Sequence, residues 1–268
     1  MIIIDKKPVC GIPLLEVAED KKFDAPLPLV FFVHGFTSAK ENNLHYAFLL
    51  AERGFRVVLP EAMYHGERSK GLPEKELAFH FTHIVLQTIH ELEILKNEYL
   101  KARKISEGRI GVAGLSMGGI VTLGALARYP WIRAAVSLMG SPALEAFTRQ
   151  LVEEYQKTGN TLPYSDEQLE KEFAKLADYD LSRQPEKLHQ RPLLFWHGKK
   201  DPVVPYRHAW EFYEKVKDSY RGTPDRLQFI LDPQAEHKVT RDGVLQTVAW
   251  FDRHLGLSHM DGANVSNS

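Results

Sequence analysis

Three residues of this chain, Ser116, Asp201 and His237, have the side-chain types that nucleophilic acyl transfer needs. A serine hydroxyl is a poor nucleophile at neutral pH. It needs a base to take its proton and an acid to orient that base. Ser116 stands in Gly114-Leu115-Ser116-Met117-Gly118, after an apolar run (Ile110, Val112, Ala113) and before a small, helix-prone segment over residues 119–127. Strand, tight turn and helix in that order form the setting of a nucleophile elbow, in which the turn strains the serine backbone and lifts its Oγ above the sheet. Gly114 and Gly118 carry no Cβ and let neighbouring chains pass close by. The helix that follows opens with free N–H groups and a positive dipole end. A Gly-rich turn with an incidental serine is the plainer alternative, and the strand-turn-helix context speaks against it.

The acid and the base are expected on later strand ends. Asp201 lies in Gly198-Lys199-Lys200-Asp201-Pro202, just past the apolar run 192–197, and His237 lies in the loop 232–237 after the run 227–231. Open α/β sheets bind ligands at such carboxyl ends. Asp232 sits too close before His237 to be preferred as the acid, and Asp178 and Asp180 fall away from any strand end, so these three are read as caps or solvated groups. Among other histidines, His34 is expected to pack or hydrogen-bond beneath the oxyanion loop, His197 to be structural, and His254 to lie on the surface. The developing oxyanion needs two fixed N–H donors. The amide of Met117 is one, as the residue after the nucleophile. The second is assigned to Phe36, in the loop His34-Gly35-Phe36-Thr37-Ser38 after the run 29–33. Tyr64 and His65, in a loop past the strand 55–59, are candidates to touch substrate, although structural roles suit them as well. Met139, Phe147 and Trp210 are candidates for an apolar acyl pocket, with core packing the alternative for each.

The elements that must position these groups alternate along the chain. Residues 9–18 predict one early strand and 21–28 a turn. The continuous apolar run 29–33 suits a strand buried on both faces of a parallel sheet. A helix over 44–53 stops at Gly54. A strand at 55–59 follows, then a long amphipathic helix over 76–99, the elbow, and a strand at 134–138. Residues 141–190 contain no convincing strand. Helices at 144–156 and 166–176, separated by turn residues near Gly159, Asn160 and Pro163, predict a small helical cap over the strand ends. A strand at 192–197, a helix at 206–219, a strand at 227–231 and a closing helix at 243–255 complete the pattern, with a polar, frayed tail from Gly256. The prediction is a single α/β domain over residues 1–268, a mostly parallel central sheet with helices on both faces.

Composition narrows the partners. The formal net charge is −1 over 268 residues, which leaves no electrostatic footprint for nucleic acid or an anionic membrane. Cys10 is the only cysteine, so no internal disulfide and no Cys-rich metal site is expected. The first residues meet charge at Asp5, too early for a signal-peptide core, and no apolar run reaches the length of a membrane span. A cytoplasmic protein is expected. Its partner is a small molecule, with a homodimer the one assembly left open.

With His34-Gly35-Phe36, the Gly-Leu-Ser-Met-Gly elbow, and Asp201 and His237 in order, residues 29–255 resemble the α/β-hydrolase superfamily. Within it the chain is similar to small bacterial esterases of the dienelactone-hydrolase and prolyl-oligopeptidase-like group. The loop Tyr64-His65-Gly66-Glu67-Arg68 and the compact size carry that likeness. It departs from dienelactone hydrolase in having Ser116 where that enzyme has cysteine. The resemblance implies a serine hydrolase of carboxylic esters with a small pocket for short acyl chains, an acyl-enzyme intermediate, and no metal or organic cofactor. A thioesterase or small serine peptidase on the same triad is the alternative. A non-catalytic ligand-binding protein would have no use for Ser116, Asp201 and His237 together.

Overall fold

A computed structural model describes residues 1–159 and 161–256. Eight strands form one sheet in the order β1-β2-β4-β3-β5-β6-β7-β8. They are β1 (Ile2–Val9), β2 (Ile12–Glu19), β3 (Leu27–Val33), β4 (Arg56–Pro60), β5 (Ile105–Leu115), β6 (Ala134–Leu138), β7 (Leu193–Gly198) and β8 (Leu227–Asp232). β1 and β2 pair antiparallel, β2 pairs antiparallel with β4, and every pairing from β4 to β8 is parallel. The expected mostly parallel sheet is therefore present.

Why the sheet is covered on both faces can be read from β3. All seven of its residues are buried. Leu29, Phe31 and Val33 join one apolar cluster and Val30 and Phe32 the other, as a period of two demands. The first cluster takes in α3 (Phe81–Lys101), α4 (Met117–Arg128) and α7 (Arg207–Val216), and the second α1 (Leu44–Glu52) and α8 (Arg241–Leu255). α5 (Leu144–Lys157) and α6 (Asp166–Leu176) occupy the segment expected to form a cap, and short 3-10 turns follow α6 at Ala177–Tyr179, Leu181–Arg183 and Pro185–Leu188. Asn160 and the polar tail past Gly256 lie outside the described residues. No helix among the described residues is long and apolar enough to cross a membrane.

Two elements differ from expectation. The single early strand is a hairpin: the chain reverses at Cys10 and Gly11, whose φ values of 50° and 77° suit a two-residue hairpin turn. β1 is hidden by Asp5, Lys6 and Lys7, charges that this edge strand accommodates by exposing Lys6 and pairing Lys7 with Asp5 and the buried Glu16. The long helix is two helices, α2 (Glu74–Phe79) and α3, broken at His80 with φ −92° and ψ 0°. Neither Pro nor Gly stands there. The break is a tertiary one: it swings Phe79 against Tyr155 of α5, with ring centroids 5.4 Å apart, and seats the His80 ring on Tyr64 at 5.0 Å.

Candidate active site

β5 ends at Leu115 and α4 begins at Met117, leaving Ser116 alone in the turn with φ 55° and ψ −114°. A non-glycine residue in that region is strained, and such strain persists only where the surroundings enforce it. The Ser116 amide donates to Leu138 O at 2.8 Å, and its carbonyl accepts from Ile120 N at 3.0 Å. The glycines explain the tightness. A Cβ on Gly118 would lie 2.1 Å from Val33 O, and one on Gly114 would lie 2.2 Å from Gly118 O.

The structure brings the three expected groups into one hydrogen-bonded row. His237 lies 2.7 Å from Asp201 Oδ2 through Nδ1 and 2.8 Å from Ser116 Oγ through Nε2. A carboxylate only accepts, so Nδ1 carries the proton and Nε2 is left to accept from the serine hydroxyl. The acid is held from its other side: Val203 N and Val204 N donate to Oδ1 at 2.9 and 3.0 Å. Burial works to raise the Asp201 carboxyl. Hydrogen bonds from His197, His237 and the two valine amides outweigh burial and hold it well below the usual carboxylate range. His197 is structural, as expected. It is buried, donates from Nε2 to Val204 O at 2.7 Å, and stands 3.5 Å from Asp201 Oδ2. Asp232 braces the base's loop by accepting from Gln234 N and Ala235 N, and Asp180 caps α5 by accepting from Glu145 N. His254 is half-buried against Trp250, with rings 4.3 Å apart, rather than on the surface.

The loop after β3 lies against the elbow. A Cβ built on Gly35 would come 3.6 Å from Ser116 Cβ, and Phe36 lines the same cavity as Ser116 and Met117. Met117 opens α4, so its amide has no partner within the helix. His34 and His65, both buried, tie this loop to the one after β4. His34 donates from Nδ1 to Gly35 O at 2.8 Å and accepts at Nε2 from Ala62 N at 3.0 Å. His65 donates from Nδ1 to Met63 O at 2.8 Å and accepts at Nε2 from Thr37 N at 3.0 Å. Each ring needs one protonated and one bare nitrogen, so each bond pair requires a neutral imidazole. Burial supplies that, lowering His34 to about 4 and lowering His65 as well. Gly35 O and Phe36 N–H belong to one trans peptide unit, so pinning the oxygen aims the N–H the opposite way. A buried ammonium adds a further tie: Lys40 Nζ meets Glu61 at 2.6 Å, Glu67 at 2.5 Å and Glu41 at 2.9 Å, which accounts for the convergence of these three carboxylates.

A cavity of about 1220 Å³ opens in front of Ser116. It is larger than the small pocket the resemblance implies. Phe147 lines it, as do Phe36 and Met117. Four sequence candidates are not brought to it. His65 is engaged with Thr37 and Met63. Tyr64 packs on His80, with Lys70 over its ring at 5.1 Å. Met139 is buried in the core on the opposite face of the sheet, its amide donating to Trp196 O. Trp210 sits on α7, 39% exposed, edge-on to Phe229 at 5.1 Å. The walls that sequence reasoning missed come from α2, α3, α5 and α6, among them Phe79, Phe81, Tyr155 and Phe173. The only signal for them was the aromatic pair Phe79 and Phe81 flanking His80, masked by the reading of one unbroken helix.

Residues 42–258 match the model of the prolyl oligopeptidase family. The chain is 52% identical to YitV of Bacillus subtilis, named as a candidate esterase, over 95% of this chain and all of that one. It is 32% identical to the esterase YjfP of Escherichia coli, again over 95% of this chain and all of that one. Among solved structures, TT1662 of Thermus thermophilus superposes with a TM-score of 0.71 at 22% identity, covering 95% of this chain and 98% of that one, which is a likeness of fold.

Proposed function

This chain belongs to the prolyl oligopeptidase family, and we propose that within it the chain is a serine hydrolase of carboxylic esters that uses Ser116 as nucleophile, His237 as base and Asp201 as the acid that orients it. The observation that carries this is the row Ser116 Oγ, His237 Nε2, His237 Nδ1, Asp201 Oδ2, at 2.8 and 2.7 Å. The full-length likeness to the esterase YjfP and to YitV, a candidate esterase, supports ester cleavage.

Ser116 Oγ attacks the ester carbonyl while His237 Nε2 takes its proton. Asp201 keeps the proton on Nδ1 beforehand and stabilises the imidazolium afterwards. The amides of Met117 and Phe36 receive the oxyanion. His237 then gives its proton to the leaving alcohol, and in the second half it draws a proton from water, which releases the acid and restores Ser116. No metal or organic cofactor enters these steps. The expected setting is one domain in the cytoplasm, with residues 141–190 acting as a cap over the site.

The test is hydrolysis of p-nitrophenyl esters by the protein and by Ser116→Ala, beside acyl-CoA thioesters and N-acyl peptides. Ester turnover abolished in Ser116→Ala is the expected result. The cavity rim offers Glu74, Glu154 and Glu172 against Lys75, a poor match for the phosphates of CoA, so thioesters are expected to be slower. Turnover that survives in Ser116→Ala would remove the nucleophile assignment.

A further inference from the structure

The cavity in front of Ser116 has a chemical grain. Its near wall is a run of aromatic rings set edge to face. Phe36 of the oxyanion loop meets Phe81 at 5.5 Å and 71°, and Phe81 meets Phe147 of α5 at 6.1 Å and 60°. Beyond them the wall continues through Ile120, Leu151 and Phe173, and it reaches Leu162 in the connection between α5 and α6. The charged groups of the lining, Glu74, Lys75, Glu154 and Glu172, are all exposed. The site thus has an apolar interior and charge only where water already is. Ligand pockets usually span about 300–1000 Å³. At about 1220 Å³ this one far exceeds what an acetyl or butyryl group fills. An unfilled apolar wall leaves transition-state binding unused, whereas a longer chain spends it.

We propose that the cavity is an acyl site for uncharged esters of medium-chain fatty acids, about six to ten carbons, so that Ser116 is acylated faster by octanoyl than by acetyl esters. This deepens the ester-hydrolase reading and rests on it. At roughly 0.8 kcal/mol per fully buried methylene, each added CH₂ multiplies kcat/KM by up to about four. Partial burial and solvent at the rim reduce that. A rise of tenfold or more from acetate to octanoate is expected.

The experiment measures kcat/KM for p-nitrophenyl acetate, butyrate, hexanoate, octanoate and decanoate. It compares ethyl octanoate with octyl acetate and follows labelling of Ser116 by a fluorophosphonate. The same series is run on Leu151→Trp, which fills the α5 wall. The expected results are the tenfold rise, a preference for ethyl octanoate over octyl acetate, and an octanoate-to-acetate ratio at least tenfold lower in Leu151→Trp. If that variant fails to fold, inhibition of the unaltered protein by ethyl- and octylboronic acid takes its place, with octylboronic acid expected to bind at least tenfold tighter. A flat or falling profile with Ser116 labelled, a preference for octyl acetate, an unchanged ratio in Leu151→Trp, or equal binding of the two boronic acids overturns the acyl site and leaves the hydrolase standing. An unlabelled Ser116 with no ester turned over overturns the hydrolase itself.

Discussion

Replacing His65 with leucine tests whether the oxyanion loop is held in a strained state by one side chain that touches no substrate. Thr37 has φ 58°, a left-handed conformation that costs a non-glycine residue about 1–2 kcal/mol. His65 Nε2 accepts from the Thr37 amide at 3.0 Å, one residue beyond Phe36, and a bond of this kind is worth roughly 0.5–1.5 kcal/mol net. The two magnitudes are comparable, so without the bond the strained loop has nothing on that side to counter its cost. Loss of the bond alone sets a floor of a few-fold in rate. Complete loss of an oxyanion donor sets a ceiling of about 100- to 1000-fold. The expectation for His65→Leu is a fall of about 10- to 100-fold in kcat with KM within twofold. Affinity for a trifluoromethyl ketone, which forms a tetrahedral adduct with an oxyanion, should fall in parallel. In His65→Gln the side-chain oxygen reaches the same direction as Nε2, and most of the loss should be recovered. Melting temperatures of both variants establish that each is folded. If His65→Leu keeps its kcat, or loses only KM, or if His65→Gln is no better than leucine, the loop does not need this bond and the reasoning is wrong.

Other perturbations follow from the same geometry. In Asp201→Asn the amides of Val203 and Val204 require an oxygen at Oδ1, which turns the new NH₂ group toward His237 Nδ1 and forces the proton onto Nε2; kcat should fall by about 10⁴ with the fold intact, checked by pre-steady-state acylation and thermal melting. Gly118→Ala drives a Cβ into the backbone oxygen of Val33, which has no freedom to turn aside, so the elbow must shift; a melting temperature lower by about 5–10 °C and loss of fluorophosphonate labelling are expected. Acid should destabilise the protein through His34: buried and lowered to about 4 in the fold, it stays neutral while the unfolded chain takes up a proton near 6.5, so stability is full above 6.5 and lost as pH falls toward 4. Melts from pH 7 to 4 should show that fall, and His34→Gln should make it shallower, the remainder coming from other histidines lowered by burial, such as His65 and His254. Glu16 acts further down. Burial raises its carboxyl, but hydrogen bonds from Lys7 and Tyr99 and the Arg56 charge outweigh burial and lower it, so its contribution is lost as pH falls below about 4.5; Glu16→Gln leaves Arg56 buried and short of its partner, a loss of about 3–5 kcal/mol readable by urea unfolding.

How much of this was legible in the residues depends on which force placed each group. Ser116, Asp201 and His237 could be read because the chemistry demands those side chains and the parallel sheet puts loops only at strand ends. β3 could be read because a strand buried on both faces must be apolar throughout. The pocket could not. Apart from Phe147, its walls come from helices whose inner residues, such as Phe79 and Phe81 on either side of the helix break at His80, look like ordinary core in the sequence. Trp210 illustrates the reverse error: a large apolar side chain on a helix can satisfy itself on a strand residue, here Phe229, without facing the site at all. His65 looked like a group for substrate because histidine often is. Both its nitrogens are spent on backbone, a fact fixed by the separation of two loops and invisible in either loop alone.

Strain marks the site more sharply than residue type does. Among the described residues, nine other than glycine have positive φ, and four of them, Thr37, Tyr64, Ser116 and Met139, lie in the loops that leave β3, β4, β5 and β6. None is Asn or Asp, the types that tolerate this region best. Each therefore costs about 1–3 kcal/mol, and all four gather at the carboxyl edge of four neighbouring strands. The bonds around them show what opposes that cost. Ser116 is pinned by Leu138 O, Met139 by Trp196 O, Thr37 by His65, and Tyr64 lies between Met63, whose carbonyl accepts from His65, and His65 itself. In two of the four the strain is locked by the next parallel strand, and in the other two by a single imidazole. The strand-locked pair should persist in any folded variant. The imidazole-locked pair should not, and this is why His65, rather than a residue of the sheet, is the place where the oxyanion loop can be loosened while the nucleophile stays in position.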